Sequence, residues 1–470
     1  MRLSDSNLGR LPHSVERFRY RRDAQGIGIV HLGIGSFHRA HQAWYTDLAI
    51  EAGDEGWGIL GVSLRSDAAA SRLDPQDCLY SLTAADSEAS STRVIGAVMQ
   101  VVAATNASGI EAAVAAIAAP ATRIVSLTVT EKGYARCAFS SERSRQSAQP
   151  IYPLLAAGLR RRRAAGFPGL TLLSCDNLAG NGARLAGTLT SYLAGDDTET
   201  ADWVSANCTF PSTMVDRIVP AATPADLQFA ATILGLRDEA ALITEPFSQW
   251  IIEDRFAEGR PRWERVGATP TGDVRTFETA KLRMLNGAHS ALAYLGLERG
   301  YTFVDQAIDD PVLRLLIEAL MRREAADSFT AAPGQDLPAY ADLLLERFSN
   351  RGFRHRLDQI AIDGSHKIPQ RWLATIADRR DRGLASPAIL AALAAWVRFV
   401  RGNDGLVDDP LAGHFAALWK SEGAGGIAAA LFSERGTFAD ALTREEQLSL
   451  TQQLCSSSWG NPEKRKIGKT

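Results

Sequence analysis

Lysine is scarce in this chain. Of its 51 basic residues only seven are lysines, and one of these, Lys281, opens the segment KLRMLNGAHS. Arginine keeps its proton inside a protein, whereas a desolvated lysine can release its own and act as a base. If the segment is an α-helix turning 100° per residue with Lys281 at zero, Glu278 falls at about 60°, His289 at about 80° and Asn286 at about 140°. Four polar groups then share less than half of the circumference, beside Leu282, Met284, Leu285 and Leu292. An exposed polar helix face is the plain alternative. Upstream, SCDNLAGNG sets Asp176 and Asn177 just after an apolar strand ending at Cys175, and CTFPSTMVDRIVP sets Asp216 in a loop. Taking a hydride from a secondary alcohol requires a base for the hydroxyl proton and donors for the developing oxyanion. Lys281 suits the first task, and the carboxamides of Asn177 and Asn286 suit the second.

A second group of residues points to a dinucleotide. Gly33-Ile34-Gly35-Ser36-Phe37-His38 lies between a strand and a helix, where glycines let the backbone turn tightly against a pyrophosphate. Gly33, Ile34, Gly35, Phe37, His38 and Arg39 are therefore candidate cofactor contacts, although His38 stands where a third glycine is usual. The strand Trp57 to Leu64 runs into Arg65-Ser66-Asp67, and Asp67 is the best acid for an adenosine ribose hydroxyl. An acid there favours NAD over NADP, while Arg65 could instead meet a 2′-phosphate. His38 and His41 are spaced for one helix face, but a zinc site needs more ligands and no partner cluster is visible. No metal is expected. Neither Tyr-x-x-x-Lys nor Gly-x-Ser-x-Gly occurs, which removes the tyrosine–lysine dehydrogenase and serine hydrolase readings.

The elements that must carry these groups change character along the chain. GIGIVHLGIG, WGILGVSL, RVIGAVMQVV, RIVSLTVT and LTLLSC read as strands, separated by helical patterns such as HRAHQAWYTDLAIEAG, IEAAVAAIAA and IYPLLAAGLRRRRAA. This alternation predicts an α/β domain with a Rossmann-type, doubly wound, mainly parallel sheet covered on both faces. EGRPRWERVGATPTGD looks like a loop or linker. Beyond it PVLRLLIEALMRREAADSF and SPAILAALAAWVRFV repeat apolar residues at helical spacing, so a mainly α-helical domain should follow. The expected division is 1–275 and 276–470, in keeping with a length that exceeds one hydrophobic core.

Composition narrows the function classes. The chain is 46% hydrophobic and 22% charged with a net charge of −3, which excludes the basic excess of a nucleic-acid binder. The run Arg160 to Arg163 reads as a solvated helix end. Five scattered cysteines without Cys-x-x-Cys spacing argue against a disulfide framework. No apolar run approaches the ~20 residues of a membrane span, and the first residues hold no apolar signal core, so a cytoplasmic protein without a membrane partner is the expectation.

The segments IVHLGIGSFHRAHQAWYTDLA, TVTEKGY, SCDNLAGNG, CTFPSTMVDRIVPA, EPFSQWIIEDRF, KLRMLNGAHSALAYLG and DGSHKIPQRW, in that order, resemble the polyol-specific long-chain dehydrogenases, the mannitol dehydrogenase family. The resemblance runs from about residue 26 to at least residue 400. It implies NAD-dependent, metal-independent hydride transfer with Lys281 as general base, Asn177 and Asn286 as the oxyanion-binding pair, His289 as a substrate-hydroxyl contact and Glu278 as a proton relay. Asp216 and Lys367 fall where the family contacts its substrate. FRHRLDQIAIDGSHKIPQR has Gln359 where the mannitol enzymes carry arginine, and is closer to the members acting on fructuronate and mannonate, with His366 departing from their glutamine. A sugar acid needs a cationic partner, and Arg371 beside Lys367 is the candidate. A neutral polyol such as mannitol, arabinitol or sorbitol is the alternative substrate. A nucleotide-binding module without turnover is the alternative of another class, and the full Lys-Asn-His set argues against it. The oligomeric state stays open, a monomer being compatible with the family.

Overall fold

The computed structural model describes residues 1–86, 89–134, 149–352, 355–402 and 407–456. Cys137 and the lysines at 464, 466 and 469 lie outside them, as does the side chain of Lys132. The chain divides into two compact units, Met1–Arg275 and Thr276–Thr470. Among the described residues no helix is long and apolar enough to cross a membrane.

The first unit is built on a five-stranded sheet. Strands β2 (Ile27–Leu32), β3 (Gly58–Ser63), β6 (Val98–Ala103), β7 (Ile124–Leu127) and β8 (Thr171–Ser174) lie in the order β6-β3-β2-β7-β8, all parallel. Successive side chains leave a strand on opposite faces, so a sheet covered on both sides needs continuous apolar runs. Val30, Leu32, Leu60, Val62, Val125 and Leu127 pack on one face against Val114 and Ile117 of one helix and Leu154, Leu155 and Leu159 of another. Ile29, Ile59, Ile124 and Leu173 pack on the other face with Tyr45, Trp250 and Trp263. Each such side chain, fully buried, stabilises the unit by roughly 1.5–3 kcal/mol.

Several local expectations are corrected. RVIGAVMQVV is two strands, β5 (Ser90–Ile95) and β6, which belong to different sheets. β5 joins β1 (Val15–Arg17), β4 (Tyr80–Ala85) and β10 (Leu242–Thr244) in the order β1-β5-β4-β10, a sheet the sequence pattern hid because its strands are short and far apart in the chain. A third sheet orders β12 (Thr269–Thr271), β11 (Gln249–Glu253) and β9 (Thr213–Asp216). Asp216 is thus the last residue of a strand, not a loop residue. The proposed linker EGRPRWERVGATPTGD is an integral part of the first unit, because Trp263 is buried against Trp250 with ring centroids 4.5 Å apart. The arginine run is not simply solvated either. Arg162 is fully buried and donates to the carbonyls of Pro168 and Ala119, while Arg160, Arg161 and Arg163 pair with Asp197, Glu111 and Glu199.

The second unit is helical around one core. Its helix Gly287–Glu298 is buried on every residue from Gly287 to Gly296, and packs against the helix Pro387–Phe399. A helix apolar all round belongs in the middle of a bundle. Among the described residues three π-helical turns interrupt the α-helices, at Lys281–Asn286, Leu320–Ala325 and Pro369–Leu373, and the first of them touches both others.

Candidate active site

In the first unit, β2 ends at the glycine turn. Gly33 has φ +99, and a Cβ there would lie 2.3 Å from the Thr128 carbonyl oxygen, so only glycine fits. Its neighbours β3 and β7 lie on opposite sides of β2, which makes the carboxyl end of β2 the topological switch point where open α/β sheets bind ligands. Helix α1 (Ser36–Ala40) follows at once, and His41, with φ −123 and ψ −88, separates it from α2 (Gln42–Glu51), so the single expected helix is two. Asp67, exposed, precedes helix α3 (Ala68–Leu73) four residues beyond the end of β3. A dinucleotide fits this arrangement of glycine turn and second-strand acid. Within it two side chains differ from expectation. His38 is buried and stacked on His31 at 3.3 Å between centroids, and Arg39 is buried with Nη1 donating to the Ala240 carbonyl. Their side chains serve the core, and only their backbone remains for a cofactor. Burial pushes His31 down to about 3 and His38 well below the usual histidine range, so both imidazoles are neutral.

The carboxyl ends of β7 and β8 are tied together by Asp176. Its carboxylate, 6% exposed, accepts from the N–H groups of Val129 (2.8 Å) and Thr130 (2.7 Å) and from the Tyr134 hydroxyl (2.7 Å). Thr130 sits at φ +68, a conformation such a network holds in place. Asn177, the exposed next residue, is carried on this knot. Asp216 is buried at the end of β9, opposite Gln249 of β11.

In the second unit, Lys281, Asn286, His289 and Glu278 lie on one continuous helical run, but Lys281–Asn286 is π-helical rather than α-helical. Gly287 N–H bonds the Leu282 carbonyl, five residues back. The wider turn brings residues five apart into line, as four apart in an α-helix, so Asn286 comes over Lys281 more closely than 100° per residue allows. The exposed-face alternative is overturned: Lys281 is 8% and His289 9% exposed. Glu278 and Asn286 are half-buried. Burial first, and then the neighbouring His355, Arg347, Arg371 and Lys281, hold the His289 imidazole well below its usual range, so it is neutral, one ring nitrogen a donor and the other an acceptor.

The π turn Pro369–Leu373 clamps the first one. Arg371 Nη1 donates to the Asn286 carbonyl (3.0 Å) and to Ser290 Oγ (2.8 Å), and Trp372 Nε1 donates to the Gly287 carbonyl (3.1 Å). Irregular helical hydrogen bonding leaves carbonyls in need of donors, and these two side chains supply them. Arg371 was expected as a substrate contact, and the structure gives one of its amino groups this positioning task. Lys367 Nζ donates to the carbonyls of Ile360 and Ile362. Gly364, before it, has no room for a Cβ, which would lie 2.5 Å from Trp396 Nε1. Sequence reasoning missed the Asp176 knot, the Arg371 clamp and His355. Of these only Asp176 carried a signal, its position at a strand end.

Two family models match the chain, the mannitol dehydrogenase Rossmann domain over residues 27–265 and the mannitol dehydrogenase C-terminal domain over residues 273–454. The D-mannonate oxidoreductase of Escherichia coli (strain K12) is 40% identical over 452 residues, 91% of this chain and 93% of that protein. A mannitol 2-dehydrogenase of Pyrenophora tritici-repentis (strain Pt-1C-BFP) is 37% identical over 436 residues, 87% of this chain and 76% of that protein. Among solved structures, the Pseudomonas fluorescens mannitol 2-dehydrogenase ternary complex with NAD and D-mannitol matches with TM-score 0.83 and 34% identity, covering 97% of this chain and 96% of that one. The chain belongs to the mannitol dehydrogenase family, and it is an oxidoreductase acting on secondary alcohols.

Proposed function

We propose that the protein is an NAD-dependent sugar-acid oxidoreductase, interconverting D-mannonate and D-fructuronate. The observation that carries the substrate class is the basic character of the surroundings of His289, on which both Arg347 and Arg371 act. Such a neighbourhood favours a substrate bearing a carboxylate over a neutral polyol. The 40% identity to a D-mannonate oxidoreductase supports the same reading.

In the oxidation direction Lys281 takes the proton of the reacting hydroxyl while the C–H hydrogen leaves with its electron pair, and a ketone forms. The bound nicotinamide supplies the hydride acceptor. Asn177 and Asn286 hold the oxygen as its charge develops, the carboxamides donating from fixed positions. Neutral His289 binds a neighbouring hydroxyl, and Glu278 passes the proton from Lys281 to solvent. Asp216 and Lys367 contact the remaining hydroxyls, and Arg371 is the cationic partner of the carboxylate. Gly33, Ile34, Gly35 and Phe37 hold the pyrophosphate end of NAD, and Asp67 its adenosine ribose.

A neutral polyol is the second reading, because Arg371 already gives Nη1 to Asn286 and Ser290 and the solved mannitol 2-dehydrogenase complex covers nearly the whole chain. The test is to follow nicotinamide absorbance with D-fructuronate, D-tagaturonate and D-fructose in turn. Reduction of fructuronate at a kcat/KM at least tenfold above that for fructose is expected. Turnover of fructose alone removes the sugar-acid reading.

A further inference from the structure

His355 stands beside the candidate site in the second unit and has so far been given no part in the reaction. Its ring lies edge-on to His289, centroids 5.5 Å apart and planes at 89°. Its Nδ1 is buried without a hydrogen-bond partner. A buried polar atom left unmatched costs free energy, and each calls for a partner that a bound ligand or water can supply. Val304 N–H donates to the His355 carbonyl at 3.0 Å, and Leu357 N–H to the Thr302 carbonyl at 3.0 Å, so the backbone at His355 and just after it is pinned to one segment. Phe348 also packs on His289, its ring centroid 4.8 Å away.

We propose that His355 is a substrate-binding residue whose Nδ1–H donates to a carboxylate oxygen of the sugar acid, so that it selects the acid end of the substrate while His289 binds the adjoining hydroxyl. This rests on the sugar-acid reading above. The pairing has a chemical logic. Burial holds the His355 ring below its usual range, hence neutral, and a neutral imidazole with its proton on Nδ1 offers one directed donor. That donor adds to the charge of Arg371, which acts on the same His289 ring, without a further ion having to be desolvated. A neutral polyol presents a hydroxyl at the corresponding end and gains less from the contact.

The experiment compares wild type with His355→Ala and His355→Asn, the latter placing an amide N–H close to where Nδ1 stands. KM and kcat are measured for D-mannonate at saturating NAD, with NAD affinity from quenching of protein fluorescence and a melting curve for each variant. In His355→Ala the KM for D-mannonate should rise by about 10- to 100-fold, the range for one hydrogen bond to a charged group, with kcat within about threefold. His355→Asn should recover most of the loss. An unchanged KM in His355→Ala, a loss confined to kcat, or His355→Asn no better than His355→Ala overturns the assignment of His355 alone. Wild-type enzyme that turns over D-mannitol but not D-mannonate overturns the sugar-acid reading, and the role of His355 with it.

Discussion

Replacing Asp176 with asparagine isolates the knot that carries Asn177. One oxygen of the carboxylate accepts both the Val129 and Thr130 N–H groups, and the other accepts the Tyr134 hydroxyl. Asparagine keeps the first oxygen but loses its charge, so two charge-assisted bonds fall to neutral strength. Its amide then faces Tyr134, whose hydroxyl can turn its proton to Ser174 Oγ, 2.6 Å away. A neutral group is cheaper to bury, which offsets part of the loss, and the net destabilisation should be about 1–3 kcal/mol. Alanine leaves both N–H groups and the hydroxyl without their acceptor, at a cost of about 4 kcal/mol. For a unit the size of Met1–Arg275, that corresponds to a fall in melting temperature of roughly 8–12 °C. Melting is followed by calorimetry, and kcat is measured well below the transition. Both variants should lose at least tenfold in kcat, because Asn177 follows directly. An alanine variant no less stable than the asparagine variant, or wild-type kcat in either, refutes the argument.

Other perturbations follow from the same geometry. Lys281→Ala should lower kcat by about 10² to 10⁴ at neutral pH, the range for a general base, with NAD affinity unchanged by fluorescence titration; retained turnover contradicts the base assignment. Asp67→Ala should raise the NADP-to-NAD ratio of kcat/KM, and an unaltered ratio counts against Asp67 as the ribose ligand. His31 and His38 are depressed in the folded state, His31 to about 3, below the ~6.5 of an unfolded chain. Their contribution to stability is therefore complete above that unfolded value and is lost as pH falls towards the folded ones, at ~1.4 kcal/mol per pH unit for each. Urea midpoints should drop steadily from pH 6.5 to pH 5, and a flat profile there would show that the two rings are not buried neutral.

The parallel sheet was legible because burial on both faces demands runs such as IVHL and IVSL, and alternation with helices fixed their parallel pairing. The helical second unit was legible from leucine and alanine spacing. What escaped has a common cause. Gly96-Ala97 splits one apolar run into β5 and β6, strands of separate sheets, and no periodicity marks where a chain changes sheet. His38 and Arg39 looked like cofactor contacts by their place after the glycine turn, but a short helix points its side chains inward as well as outward. Lys281, Asn286 and His289 were singled out by residue type, while their mutual direction was misjudged, since a π turn depends on carbonyl donors such as Arg371 and Trp372, supplied from over eighty residues away.

The wide turn at Lys281–Asn286 has a consequence for chain length. Wound as ordinary α-helix at its full length, the segment would swing everything after it by about 100°, and Asn286 and His289 would point elsewhere although no functional side chain had been replaced. Deleting one residue between the amine and the amide would offset that swing, because a π turn holds about one residue more than the α-helical stretch it replaces. Chain length and winding in this run are thus set together.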